Sequence, residues 1–399
     1  MIAGGRDMAD QFTLGIEEEF QLVKQDSGEL SSSAQSILDK SAPYFEEKIK
    51  PEMLQSTLEY VSDILPDLSA ARKELYSART LLSRLVREEG MALISAGTHP
   101  TALWMEQERT DKDRYIEMEE EYQDVGRSIL IFGLHVHVAV QDKELAIKIM
   151  NQVRSWLPHL LALSSNSPFW NGRMTGIKSY RSVVWKRFPR SGMPDVFTSW
   201  SQFDRYVQDL VEMECIDNGK KIWWDMRPHP FFDTLEFRIC DMPSTLEDTL
   251  AIAALCQALI AKLSYLNERD KAVPSLRRDY IDENKWRAMR YGLDAEVLDF
   301  EGLRRLNMRD ALRETLTFVD DVVNDLGSRR EIDYIRTLLD DPQGTGADRQ
   351  MVIYQESSDP QKVSQFLIER TMEGVKVDDI HEGHKVLRFR SRKPVKKAN

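Results

Sequence analysis

Apolar and polar residues alternate with a period of two over residues 13–23, TLGIEEEFQLV. Leu14, Ile16, Phe20 and Leu22 fall on one face, with Glu18 the single polar residue among them. Gly15, Glu17, Glu19 and Gln21 fall on the other. That period predicts a half-buried strand, whose successive side chains point to opposite sides. The format returns three times. Residues 55–64 predict a strand, closed off by Pro66, with Thr57, Glu59 and Val61 on one face. Residues 129–140, ILIFGLHVHVAV, set Leu134, Val136 and Val138 against His135 and His137. Residues 234–240, TLEFRIC, set Leu235, Phe237 and Ile239 against Glu236 and Arg238. A shorter, buried strand is expected at 91–96, running into Gly97, Thr98, His99 and Pro100.

Between these strands the pattern is helical. Residues 67–89 carry Asp67 or Ser69 as N-cap, Leu75, Leu82, Leu85 and Val86 as an apolar stripe, and Gly90 as a stop. Helices are also expected over 31–50, over the acidic stretch 111–124, over 144–163 with a bend at Pro158, and over 195–217. The helix at 246–266 is nearly all apolar and must lie in the core. Residues 283–373 read as mostly helical, broken at Gly292 and by 342–349. Residues 164–194 hold no sustained period and contain three Gly and three Pro. They read as a long ordered loop, a kind of segment that often carries function. No internal repeat or low-complexity linker interrupts the chain. One domain over residues 1–384, followed by a basic tail at 385–399, is therefore expected.

Composition narrows the class. The chain has 399 residues, 42% hydrophobic and 30% charged, which suits a globular protein with a large core. Its net charge of −12 argues against nucleic-acid binding. No run of 18 apolar residues occurs, so no membrane span is expected. The N-terminal residues lack the apolar stretch of a signal peptide. The three cysteines, Cys215, Cys240 and Cys256, form no CxxC pair, which points to a reducing cytoplasm.

The polar strand faces suggest chemistry. Glu17 and Glu19 project the same way, with Cα atoms roughly 6–7 Å apart. Neighbouring carboxylates repel unless protons or cations intervene, and Mg²⁺ and Mn²⁺ prefer oxygen donors. Taken singly, each strand has a plain explanation: a solvated face, a surface Glu–Arg pair, a hydrogen-bonded imidazole. The four together predict a sheet face that gathers divalent cations. A second feature is residues 166–190, which contain Arg173, Lys178, Arg181, Lys186, Arg187 and Arg190 but no Asp or Glu. In an acidic chain this is either a solvated basic loop or an anion site, with guanidinium forks for carboxylate or phosphate. Trp170, Tyr180 and Trp185 supply rigid walls. There is no GxxxxGK[ST] loop and no GxGxxG at a strand–helix junction, so a nucleotide would bind through metals on a sheet.

The stretches LGIEEEFQLV, ISAGTHP, GLHVHV, LSSNSPFWNG, GIKSYRSVVWKRFPRSGMP, DMRPHPFFDTLEFRICDMP, ENKWRAMRYGLDA and GTGADRQ together resemble the carboxylate–amine ligase family, the type 2 glutamate–cysteine ligases. The likeness runs from the first strand to at least Gln350. The wider superfamily is similar to glutamine synthetase. The resemblance implies an α+β fold: a curved, mostly antiparallel sheet with helices packed on its outer face, glutamine synthetase/guanido kinase-like. It implies ATP and Mg²⁺, with Mn²⁺ as a substitute, and small-molecule substrates. The γ-carboxylate of L-glutamate would become an acyl phosphate and then be joined to an amine, by family L-cysteine, giving γ-glutamylcysteine, ADP and phosphate. A homodimer is the oligomer the family implies.

The resemblance also implies roles. Glu17, Glu19, Glu59, His135 and Glu236 would hold metal. His137, Arg187 and Arg190 would contact the nucleotide. Arg238 and Arg181 would serve the phosphoryl transfer, and Asn166, Thr175, Ser179 and Tyr180 the acid substrate. Glu18, on the apolar face, receives no role. Residues 166–194 are the candidate for a loop that closes over the site. Three alternatives stay open: the same ligation with another acid or amine, a metal-dependent hydrolase on the same sheet, and a non-catalytic sensor that keeps the fold.

Overall fold

The computed structural model describes residues 11–376; the basic tail expected at 385–399 and the first ten residues lie outside the described residues. Seven strands form the central sheet: β1 (Leu14–Lys24), β2 (Ile49–Pro51), β3 (Thr57–Val61), β4 (Met91–Ile94), β5 (Gly133–Ala139), β6 (Met226–Pro228) and β7 (Thr234–Asp241). Their order is β6-β7-β5-β1-β3-β2, with β4 pairing the far end of β1, and all pairings are antiparallel. The four strands with polar faces are thus adjacent. Glu17 lies opposite His135, Glu19 opposite Glu59, and Glu236 opposite His137.

Burying the apolar faces holds the sheet in place. Leu14, Ile16, Phe20, Leu58, Leu134, Val136, Leu235 and Phe237 are all buried in one core. The helix Leu246–Asn267 lies against β5 and β1 and is itself packed by the helices Leu68–Arg87, Lys143–Val153, Met308–Val323 and Arg329–Asp340. It is long and apolar enough to cross a membrane by length and composition, but 83% of its most apolar window is buried inside the protein. Thr245 and Asp248 close its first turn as a capping box.

Glu18 proves to have a structural partner. Its carboxylate is fully buried on the helix side of β1. It accepts from Arg79 Nε at 3.2 Å, from Arg79 Nη2, and from Thr249 Oγ1 at 2.9 Å. Arg79, on the helix Leu68–Arg87, also reaches the carbonyl of Ser244. A polar residue in the apolar register therefore ties the sheet to two helices.

Several elements depart from the sequence pattern for identifiable reasons. The helix expected over 31–50 is Ala34–Phe45; Pro43 and a positive φ at Glu46 end it, and Ile49 turns inward as part of β2. The break in 144–163 comes at the 3-10 turn Arg154–Trp156, ahead of Pro158. That proline sits in the first turn of the next helix, where a missing N–H costs nothing. The helix expected over 195–217 is Trp200–Glu212. Within 283–373 a hairpin, Glu296–Asp299 with Arg304–Asn307, interrupts the helices. Its strands are too short and charged to announce a period. The helix Gly346–Ser357 begins inside the expected loop 342–349, because Thr345 and Asp348 cap it.

The segment 164–194 lacks the character of a closing loop. It contains short paired stretches and the helix Tyr180–Trp185. Asp241, at the end of β7, accepts hydrogen bonds from Asn166 N (2.9 Å), Ser167 Oγ (2.6 Å) and Ser179 Oγ (2.8 Å). Lys178 Nζ is buried between Asp294 (2.7 Å) and Asp348 (2.5 Å). Moving this part of the segment would strip the Asp241 carboxylate and the Lys178 ammonium group of the partners that now satisfy each of them.

Candidate active site

The polar sheet face floors a cleft of about 530 Å³. One wall is the acidic helix Asp113–Tyr122, which contributes Arg114, Tyr115, Met118 and Tyr122. The other is built from Trp185 and residues between Asp217 and Phe232. Alternation in β1, β3, β5 and β7 puts Glu17, Glu19, Glu59, His135, Glu236 and Arg238 into this space.

Two groups of donor atoms gather there. One atom each from Glu17, Glu59 and His135 lie within 4.8 Å of one another, and so do atoms from Glu17, His137 and Glu236. Glu17 belongs to both. Its Oε2 is 2.9 Å from His135 Nδ1, and its Oε1 is 3.4 Å from His137 Nε2. His137 Nδ1 contacts Thr234 Oγ1 at 3.2 Å, whereas its buried Nε2 has no hydrogen-bond partner. A cation held between Glu17 and Glu236 would displace any proton on Nε2 and meet its lone pair, with the other ring proton on Nδ1 towards Thr234. Carboxylate oxygens plus imidazole nitrogens suit Mg²⁺ or Mn²⁺.

The titration behaviour has the same origin. Burial pushes Glu59 well above the ordinary carboxylate range, and the Glu17 and Glu52 charges add to it. Burial and the Glu19 charge raise Glu52 to about 7. Burial raises Glu19 as well, against the pull of Arg181 and the Gly133 amide. Burial also opposes the charge on Glu17, but the adjacent His135 and His137 imidazoles hold it well below the ordinary range. These acids crowd one another in a way that added positive charge would relieve.

Glu236 is held between two guanidinium groups. Arg227 Nε and Nη2 donate to it at 2.8 and 3.2 Å, and Arg238 Nη1 donates from the other side. Although burial opposes ionisation, the two cations keep Glu236 well below the usual carboxylate range. Arg238 Nε is buried without a partner, so part of this guanidinium remains available to an anion. Arg238 stands at a β-bulge. Phe237 pairs with Val136 and Cys240 with Leu134, so Arg238 and Ile239 together face His135. The carbonyls freed there accept from Arg181, Nη2 to Arg238 O at 3.2 Å and Nη1 to Ile239 O at 3.3 Å.

The remaining residues singled out from sequence are dispersed. Asn166 is buried beneath the sheet end, its amide spent on Ser95 O, Met242 O, Ser244 Oγ and Gln350. Thr175 bonds the backbone of its own loop, Ser179 bonds Asp241, and Tyr180 stacks on Trp170. None of the four lines the cleft. Arg187 faces an outer groove beside Lys285 and Trp286. Arg190 reaches Lys221 O and Tyr122 Oη from behind the cleft wall and so braces it. Conversely, Arg227, Glu52 and Gly133 belong to the site without having been singled out. Arg227 stands in the stretch DMRPHP beside a strand, which could have marked it. Glu52, on a turn before β3, left no signal.

Comparison with known proteins now defines the class. A glutamate–cysteine ligase from Francisella tularensis, solved in complex with AMP, superposes with a TM-score of 0.68 at 12% identity. The match covers 91% of this chain and 89% of that one. A bifunctional glutathione synthetase from Pasteurella multocida also matches with a TM-score of 0.68, at 14% identity over 92% of this chain and 53% of its own. The fold is therefore that of these ligases: antiparallel sheet and helices, with no closed barrel among the described residues. Residues 13–368 match the family model of the glutamate–cysteine ligase family 2, and the chain is a ligase belonging to that family. A relative from Solibacter usitatus named "Putative glutamate–cysteine ligase 2" is 48% identical over 364 residues, 91% of this chain and 94% of its own length. Another of the same name, from Chloroflexus aggregans, is 46% identical over 366 residues, 92% of this chain and 93% of its own.

Proposed function

We propose that this chain is an ATP-dependent carboxylate–amine ligase that activates the γ-carboxylate of glutamate and joins it to an amine, with cysteine the amine its family favours. The observation that carries the reading is the double donor set sharing Glu17, beside the free edge of Arg238, in one cleft. Ligation by this route needs two anions, a nucleotide γ-phosphoryl group and a carboxylate, to meet. When bound at the two donor sets, Mg²⁺ would neutralise that approach as a Lewis acid.

The chain's own groups do the rest. The bond from the γ-phosphorus to ADP breaks as one forms to the glutamate oxygen, and Arg238 stabilises charge on the moving phosphoryl oxygens. The amine nitrogen then attacks the acyl carbon, phosphate leaves with the former carboxylate oxygen, and the amine gives up a proton. Arg227 fixes Glu236 and Arg181 holds the bulge at Arg238, and both also line the cleft. Trp185, Tyr122 and Met118 narrow the cleft and limit water.

The test is release of ADP by the purified protein with Mg²⁺ and ATP, with glutamate, and with glutamate plus a panel of amines. ADP formation that requires both acid and amine supports the ligase. Activity on bonds other than ATP, without nucleotide, would support the hydrolase instead.

A further inference from the structure

The turn between β6 and β7 carries the sequence PHPFFDT from Pro228 to Thr234, and the reaction chemistry leaves it without a task. It is rigid. His229 Nδ1 accepts from the amides of Phe231 (3.2 Å) and Phe232 (3.0 Å), the His229 amide donates to Thr234 O, and the Thr234 amide donates to Phe232 O. On that fixed backbone Phe231 and Phe232 stand 62% and 64% exposed. Both line the cleft.

Their place in the cleft is specific. The His137 ring meets the His229 ring edge-on at 5.4 Å, and His229 stacks on Phe232 at 4.5 Å with 9° between planes. The aromatic pair therefore continues outward from the donor set of Glu17, His137 and Glu236. Lys220 also lines this mouth, with its ammonium 5.0 Å from the centre of the Phe231 ring. Two adjacent phenyl groups on a locked turn, beside a metal donor set and a lysine, present flat apolar faces next to a phosphate-binding end. A protein partner would need a broad patch; these rings line a concave mouth that fits one small planar group.

We propose that Phe231 and Phe232 are the seat of the nucleotide's purine base, held by ring stacking while the phosphates reach the donor set at His137. The inference rests on the reading of this cleft as an ATP site. The rings bring no donor or acceptor of their own, so the seat senses a ring face rather than its substituents, and GTP and ITP bind comparably to ATP.

Calorimetric titration of the full chain in Mg²⁺ with ATP, and separately with inorganic tripolyphosphate, tests this without relying on turnover. In Phe231→Ala/Phe232→Ala, ATP should bind about ten-fold or more weaker while tripolyphosphate stays within about two-fold of wild type. Phe231→Leu/Phe232→Leu, which keeps apolar bulk without ring faces, should behave like the alanine variant. Unchanged ATP affinity in the alanine variant overturns the seat. So does an equal loss for both ligands, which would mean that the turn only shapes the phosphate end. Wild-type protein that binds tripolyphosphate as well as ATP also rejects the seat but leaves the ligase reading standing. Failure of the wild type to bind either ligand would bring down both.

Discussion

Arg181 occupies the space that a side chain at position 133 would enter: a Cβ built on Gly133 would lie 2.2 Å from Arg181 Nη2 and 2.8 Å from Cζ. Gly133 opens β5 opposite Glu19, and its amide donates to the Glu19 carboxylate. The absent side chain lets the guanidinium lie flat over the strand and hold the carbonyls of the bulge. Gly133→Ala should therefore displace Arg181, relax the bulge and misaim Arg238. We expect kcat to fall about 100-fold, with a smaller change in KM. Arg181→Lys in the same background should cost less than the product of the two single effects, because a slender ammonium leaves room for the methyl group. Steady-state kinetics of the four proteins decide the matter; a Gly133→Ala enzyme with wild-type kcat would break the link from Arg181 to Arg238.

Because Glu17 belongs to both donor sets, its loss should be felt twice. Titration with Mn²⁺ followed by electron paramagnetic resonance should count two bound ions in the wild type, one in Glu59→Gln or Glu236→Gln, and close to none in Glu17→Gln. A Glu17→Gln protein that still binds two ions would leave the shared donor without meaning.

Arg238→Ala should lower kcat more than it raises KM for glutamate, since the charge it meets develops on the phosphoryl group in transit. A variant in which only KM moves would make Arg238 a ground-state contact for the acid.

Glu18→Gln tests the structural ion pair apart from catalysis. Removing the charge strands Arg79, which is only 1% exposed, without its partner in the core. A loss of about 3–5 kcal/mol is expected from urea unfolding. Replacing both residues by apolar ones of similar volume should cost much less.

His99 gives the stability a pH dependence. Its Nε2 lies 2.8 Å from Gly28 O, and its Nδ1 accepts from the amides of Thr101 (3.2 Å) and Ala102 (3.1 Å). The neutral ring thereby fastens the turn after β4. Burial pushes its pKa from the ordinary 6.5 down to about 4. Between those values the unfolded chain holds a proton that the folded chain lacks, so stability falls as pH drops from 6.5 towards 4. Urea unfolding at pH 7 and pH 5 should show the wild type losing about 2 kcal/mol more than His99→Gln over that interval. Equal losses in the two proteins would rule out a neutral, buried His99.

Much of this molecule was legible in its one-dimensional pattern. Alternation in a strand is a local property of the backbone, so the sequence alone decided that Glu17 and Glu19 share a face and that His135 and His137 share another. The length and apolarity of residues 246–266 likewise decided that a helix there would be buried. Pairing is not local. Only the register of β1 with β3 and β5, and of β5 with β7, brought Glu17, Glu59, His135, His137 and Glu236 to one place. The basic stretch 166–190 marks the limit of composition. Its arginines and lysines look alike in sequence, but a cation's role depends on which oxygens surround it. The tertiary structure sets Arg181 against bulge carbonyls and Lys178 between two aspartates, turns Arg187 outward, and brings Arg238, from outside that stretch, into the cleft beside Glu236.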